Sequence, residues 1–135
     1  MKAFDTSVLL ALLEGDRSAK ELLRKLKGVE VATTEMNMLE LVYLAARGPA
    51  RNRGHRREAL DRLRRKVTVL PIDSRAVSEA ERRVVKGDTP RSPLLSGMLG
   101  ALETAGCDEL FTTDPQDCGG RWRFDVTRFT RHNPK

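Results

Sequence analysis

The sequence predicts an α/β fold with a mainly parallel β-sheet flanked by helices. Three observations carry that expectation. Short apolar runs rich in β-branched residues alternate with amphipathic stretches at helical spacing, the breaks between them are filled by Gly, Pro, Asp and Ser, and no internal repeat interrupts the alternation. At 135 residues the chain lies within the size range of one domain, so a single unit over 1–135 is expected.

Residues 2–4 form a short extended run that stops at Asp5, and Thr6 and Ser7 are placed to cap the apolar run 8–13 as a helix. Gly15 and Asp16 break that run, and 18–26 reads as a second helix with Leu22, Leu23 and Leu26 on one face. Residues 29–32 predict a buried strand. Thr33 and Thr34 then open a helix over 35–46 whose apolar face includes Met36, Met38, Leu39, Leu41, Val42 and Leu44. Gly, Pro, Asn and Arg over 48–54 mark a loop, followed by a strongly basic helix over 55–66. A strand is expected over 67–72 and a helix over 74–85 capped by Ser74. The segment 87–93 is another loop, leading into an apolar helix of small residues over 94–105 that Gly106 stops. A strand over 110–113 ends at Asp114, residues 115–121 form a turn region, and 124–127 is a last short strand.

Composition narrows the function classes. Hydrophobic residues make up 39% and charged ones 33%, a balance that fits a globular protein with a charged surface. No apolar stretch approaches the roughly 20 residues that span a bilayer, so no membrane partner is expected. Residues 1–5 lack the pattern of a secretory signal, which predicts a cytoplasmic protein. With 25 Lys plus Arg against 19 Asp plus Glu, the net charge of +6 favours polyanionic partners. An aromatic share of 4% argues against a single-strand binder built on stacked rings. Cys107 and Cys118 are too few for a disulfide framework and lack metal-ligand spacing, so both are expected to be reduced.

The candidate chemistry lies in three acids. Asp5 follows the first strand, Glu40 sits in the helix after the second, and Asp114 follows the penultimate one. In parallel sheets the functional crevice lies beyond the carboxyl ends of the strands, where strand order reverses, so Asp5 and Asp114 are expected to project into it. Carboxylates gathered there suit Mg²⁺ or Mn²⁺, hard ions that prefer oxygen ligands. Each acid also has a plainer reading: Asp5 as a helix cap, Glu40 as a surface residue, Asp114 as a turn residue before Pro115.

The joint pattern resembles a known family. Phe4-Asp5-Thr6-Ser7-Val8-Leu9-Leu10 looks like the opening motif of PIN-domain nucleases. Val31-Ala32-Thr33-Thr34 through Leu39-Glu40-Leu41 looks like their second motif, and Gly106-Cys107-Asp108-Glu109-Leu110-Phe111-Thr112-Thr113-Asp114-Pro115 like their last. The resemblance spans nearly the whole chain and extends to VapC-like toxins of toxin–antitoxin systems. It implies a three-layer PIN-like fold with Asp5, Glu40 and Asp114 as catalytic, metal-binding acids, and Thr6, Ser7 and Thr112 as supporting hydroxyls. It further implies RNA as substrate, a homodimer, and a cognate antitoxin covering the acidic crevice. One departure matters. The family usually carries a further acid at the start of the helix before the last motif, and no carboxylate occupies that stretch here. Matching Met98 to Ala101 puts Ser96 at the acidic position, while counting back from Gly106 points to Leu95. Glu103 or Asp117 could compensate, although surface roles are expected for both.

Arg51, Arg53, His55, Arg56, Arg57, Arg62, Arg64, Arg65 and Lys66 form the densest basic segment. It reads either as a solvated helix face above Leu60 and Leu63 or as a phosphate track for RNA, with Arg53, Arg56, Arg57 and Arg64 as contacts. His55 and His132 read as surface residues, Trp122 as packing at the chain's edge, and Met36 and Met38 as core or interface filler. The chain has no glycine-rich phosphate loop, zinc spacing or nucleophile elbow. The first expectation is therefore a metal-dependent endoribonuclease, impaired by the missing acid, and the alternative is a non-catalytic PIN-like module that binds RNA or protein. A receiver-like phosphoacceptor would need an adjacent acidic pair near the first strand and a Lys after a late one, and neither occurs.

Overall fold

Lys2–Phe4 (β1) lies at the centre of a five-stranded sheet, with Val31–Thr34 (β2) and Thr68–Leu70 (β3) on one side and Glu109–Thr112 (β4) and Asp125–Arg128 (β5) on the other. The order is β3-β2-β1-β4-β5 and every neighbour is parallel. The computed structural model describes residues 1–47, 53–87 and 89–132, with the Arg53 side chain outside that description. The loop expected over 48–54 therefore falls mostly outside the described residues, as does Arg51.

Parallel strands need crossovers, and helices supply them on both faces. Thr6–Leu13 (α1), Arg17–Lys25 (α2), Glu35–Ala46 (α3) and Arg53–Lys66 (α4) cover one face; Ser74–Val85 (α5) and Pro93–Thr104 (α6) cover the other. Strand alternation divides the core accordingly. Phe4, Val8, Leu9, Val31 and Leu41 pack on the first face, with Leu60 and Leu63 from below α4; Ala3, Leu99, Leu102, Leu110 and Phe124 pack on the second. Fully burying a side chain such as Phe4, Leu9, Leu41 or Leu99 contributes roughly 1.5–3 kcal/mol. Phe4 meets its register partner Phe111 edge to face at 5.9 Å.

The α5–α6 contact explains the small residues of α6. A Cβ on Gly100 would lie 2.2 Å from the Ala76 carbonyl oxygen, so the two helices approach backbone to backbone. Among the described residues no helix is long and apolar enough to cross a membrane.

Several expected boundaries move. The cap of α1 is Asp5, not Thr6 or Ser7, because the Asp5 carboxylate accepts from the Val8 N–H at 3.3 Å. Strand β2 runs to Thr34, two residues beyond expectation, since Thr33 and Thr34 are wholly buried and pair with β3 before Thr34 caps α3. Asp73, not Ser74, caps α5 by accepting from the Ala76 N–H at 3.0 Å. Glu103 is no surface residue: its side chain is 3% exposed and pairs with Arg83 at 3.0 Å.

Candidate acidic cleft

From β1 the chain winds to β2 and β3 on one side, then returns to β4 on the other, so strand order reverses between β1 and β4. A cleft of about 250 Å³ opens there, beyond the strands' carboxyl ends. Asp5, Glu40, Asp114 and Asp117 all line it, with Arg91 as the cation among them. The opposite wall is apolar, made by Leu94, Leu95, Met98 and Leu99 of α6.

Asp5 is fixed by its neighbours. Its Oδ1 accepts from Ser7 Oγ at 2.5 Å as well as from the Val8 N–H. Burial pushes its carboxyl above the ordinary aspartate value, and the hydroxyls of Ser7 and Thr112 with the backbone N–H groups of Val8 and Ser7 oppose that rise. Both hydroxyls also tie in the end of β4. Ser7 Oγ accepts from the Thr113 N–H at 3.1 Å, and Thr112 Oγ1 from the Asp114 N–H at 3.1 Å. The carboxylate thus sits among donors that carry no full positive charge.

Glu40 reaches the same cleft from α3. Thr6 Oγ1 donates to Glu40 Oε1 at 2.6 Å and accepts from Asn37 Nδ2 at 3.1 Å. Asn37 is held in turn by Thr34, whose hydroxyl donates to Asn37 Oδ1 at 2.7 Å, and it donates to Met98 Sδ at 3.4 Å. Asp114 is exposed at the cleft mouth, where Thr113 Oγ1 donates to its Oδ2 at 3.1 Å. Asp117 faces the Arg91 guanidinium at 3.6 Å.

The two candidates for the missing acid are now separable. Leu95 lines the cleft. Ser96 is 6% exposed and donates its hydroxyl to the Ser92 carbonyl at 3.1 Å, outside the cleft lining. Of the two positions, only Leu95 lines the cleft.

Sequence reasoning missed Asn37, Arg91 and Cys118 as cleft residues. The Thr34-x-x-Asn37 spacing of a capping box was the available signal for Asn37. Cys118 is buried in the cleft floor, and burial, with the Asp5 and Asp117 charges next, pushes its thiol up to about 11. Both cysteines are free thiols.

The sequence profile of the PIN domain matches residues 2–97. The chain belongs to the PIN domain family. Among solved structures, the PIN chain is similar to VapBC2 from Rickettsia felis bound to a promoter DNA fragment, with a TM-score of 0.75 at 10% identity over 96% of this chain and 98% of that one. It is similar to DNA-bound VapBC from Salmonella typhimurium, with a TM-score of 0.75 at 14% identity over 94% and 96%. It is also similar to VapC20 from Mycobacterium tuberculosis, a sarcin–ricin loop cleaving toxin, with a TM-score of 0.65 at 22% identity over 90% and 97%. At these identities the likeness is one of fold. No curated protein sequence matches the chain.

In this PIN domain the three carboxylates suit a hard divalent cation in kind, being oxygen donors, and in position, because Asp5 is a half-buried carboxylate without a cationic partner among the described residues. They do not form a closed cage: among the described residues no group of three or more His, Cys, Asp or Glu is gathered to hold a metal ion. A Mg²⁺ ion needs only one or two carboxylates besides water and phosphate oxygens, so the set fits that mode of binding. The basic helix α4 is not part of the cleft. Arg56, Arg57 and Arg64 are absent from its lining, and the Arg53 side chain lies outside the described residues. His55 and His132 are exposed, and Trp122 is half-buried, stacked on Phe124 at 5.8 Å.

Proposed function

We propose that this PIN protein is a divalent-metal-dependent endoribonuclease of the VapC-like type, cutting RNA phosphodiester bonds with Mg²⁺ or Mn²⁺ at the acidic cleft. The supporting observation is the placement of Asp5, Glu40 and Asp114 on one cleft at the β1–β4 reversal, with Asp5 half-buried and lacking a cationic partner among the described residues. Asp5, Glu40 and Asp114 are the acids that would hold the ion. The chemistry supplied by such an ion when bound is stabilisation of the negative charge that builds on the phosphate and the leaving oxygen.

The chain's own residues do the positioning. Ser7 and Thr112 orient the Asp5 carboxylate, and Thr6 fixes Glu40 Oε1. Asp117 occupies the Arg91 guanidinium, which would otherwise compete for the carboxylates. The net charge of +6 supports attraction of RNA to the molecule as a whole. Within that reading Arg56, Arg57 and Arg64 on α4 serve as outlying phosphate contacts, and Arg53 is proposed on sequence alone. A cognate antitoxin and a homodimer belong to the same proposal; exposed Leu39 and Tyr43 on α3, at 59% and 64%, are the apolar surface that supports a second copy.

The decisive test is RNA cleavage by purified protein with Mg²⁺ or Mn²⁺, lost in Asp5→Asn. Folded protein that leaves RNA intact with both metals overturns the proposal. A second reading, a non-catalytic PIN module, is favoured by Leu95 in the cleft and by the absence of a gathered three-acid group among the described residues. It predicts RNA binding that persists in chelator without cleavage.

A further inference from the structure

Away from the acidic cleft, a second hollow of about 700 Å³ is lined by Arg82, Arg83, Lys86, Arg121 and Arg123, with Gly87 and Gly120 completing its wall. We infer that it is a binding site for the phosphodiester backbone of RNA, an extension of the substrate path proposed above.

The charge gathered there is only partly paired internally. Glu79 takes Arg82 at 2.5 Å and Arg83 at 3.2 Å, and Glu103 takes Arg83 at 3.0 Å. Lys86, Arg121 and Arg123 have no acidic partner among the described residues. The carbonyl end of α5 accounts for cations in that helix's last turn. It does not account for Arg121 and Arg123, which arrive from a separate segment and are brought against like charge. That segment is built into place: Arg83 donates to the Arg121 carbonyl and lies over the Trp122 ring at 5.4 Å, while the Arg123 N–H donates to Glu103 Oε1 at 2.9 Å. The buried Arg83–Glu103 pair thus holds two exposed arginines at the rim.

The lining selects the ligand. Guanidinium groups match phosphate oxygens in geometry and charge. Among the described residues no apolar or aromatic side chain lines the hollow, and Trp122 is already stacked on Phe124. An acidic protein segment finds no anchor for its apolar residues there, and a base finds no free ring, whereas a sugar–phosphate backbone needs neither. The hollow also lies close to the cleft along the chain. Cys118 lines the cleft and Gly120 the hollow, with Gly119 alone between them, a reach of roughly 7 Å at most. Gly119 makes that turn against Thr89, whose carbonyl oxygen would lie 2.7 Å from any Cβ at this position.

The experiment measures binding of a labelled single-stranded RNA oligonucleotide to the full chain in chelator across a salt series. Lys86→Ser with Arg121→Ser and Arg123→Ser is compared with Arg17→Ser, Lys20→Ser and Arg24→Ser, which remove equal charge from another hollow. The first triple is expected to weaken binding about tenfold and to lower the salt slope by about 2; the second leaves the slope near the parent's. Equal losses in both triples, or no loss in the first, overturn the inference. So does a poly-glutamate peptide that binds as tightly as RNA and loses affinity in the first triple, which would mark an acidic protein partner. Because chelator removes cleavage from the measurement, the two readings fail separately. A chain that never cleaves yet holds RNA here keeps the hollow and loses the nuclease reading; a cleaving chain whose RNA affinity ignores these residues does the reverse.

Discussion

Thr6 donates its hydroxyl proton to Glu40 Oε1 at 2.6 Å, joining residues 34 positions apart in the sequence. The contact orients an otherwise exposed carboxylate toward the cleft. Thr6→Val preserves the shape and removes the donor, so Mn²⁺ affinity is expected to fall about tenfold. Titration followed by electron paramagnetic resonance checks this, and unchanged affinity would mean that Glu40 does not reach the ion.

Leu95 and Ser96 give opposite outcomes to one substitution. Leu95→Asp adds a carboxylate to the cleft wall and is expected to raise Mn²⁺ affinity by about tenfold or more. Ser96→Asp places a charge in a 6% exposed site against the Ser92 carbonyl, so it should cost about 2–4 kcal/mol of stability without improving metal binding. Calorimetric metal titration and thermal melting of both variants separate the two positions.

Asp5→Asn should melt higher than the parent at pH 7. Burial holds the Asp5 carboxyl above its ordinary value, so the folded chain keeps a proton in a window where the unfolded chain has released it. Stability therefore falls as pH rises through that window, from the ordinary aspartate value up to the folded one, and stays lower above it. Asparagine keeps the cap and removes the charge. The gap in melting temperature should close as pH drops toward the ordinary aspartate value, and a lower melting point for Asp5→Asn at pH 7 would contradict the account.

Gly100→Ala tests the α5–α6 approach. The new methyl would meet the Ala76 carbonyl at 2.2 Å, so the helices must separate, at an expected cost of about 3 kcal/mol. Urea denaturation measures it. Gly97→Ala, whose Cβ would make an ordinary 3.5 Å contact with Ile72, should change stability far less.

Cys118 should resist alkylation. With its thiol pushed up to about 11, only about a thousandth is thiolate at pH 8. Iodoacetamide labelling read by mass spectrometry should find Cys118 unmodified in the native chain and modified after unfolding.

The alternation of apolar strands with amphipathic stretches made the architecture readable, because each strand run is short and closed by Gly, Pro or Asp. The placement of Asp5 and Asp114 on the cleft was legible because each stands directly after a strand, whereas Glu40 reaches it from within the helix that follows β2. Boundaries were less so. Thr33 and Thr34 resemble a helix entrance in sequence, yet complete burial and pairing with β3 keep them in the sheet. The register between Leu95 and Ser96 could not be read from a run of small and apolar residues, since it depends on how α6 is rotated against Ala76 and Ala80. Glu103 looked like surface because its partner Arg83 lies on another helix. Likewise, nothing local to Arg121 and Arg123 reveals that they face the end of α5.

The central position of β1 has a consequence for synthesis. Its register partners are Val31 in β2 and Glu109 in β4, so β1 stays half-unpaired during synthesis until β4 has followed it. Asp5 and Asp114 come to line one cleft only then. A growing chain therefore carries no assembled acidic cleft within reach of the RNA-rich machine that is making it.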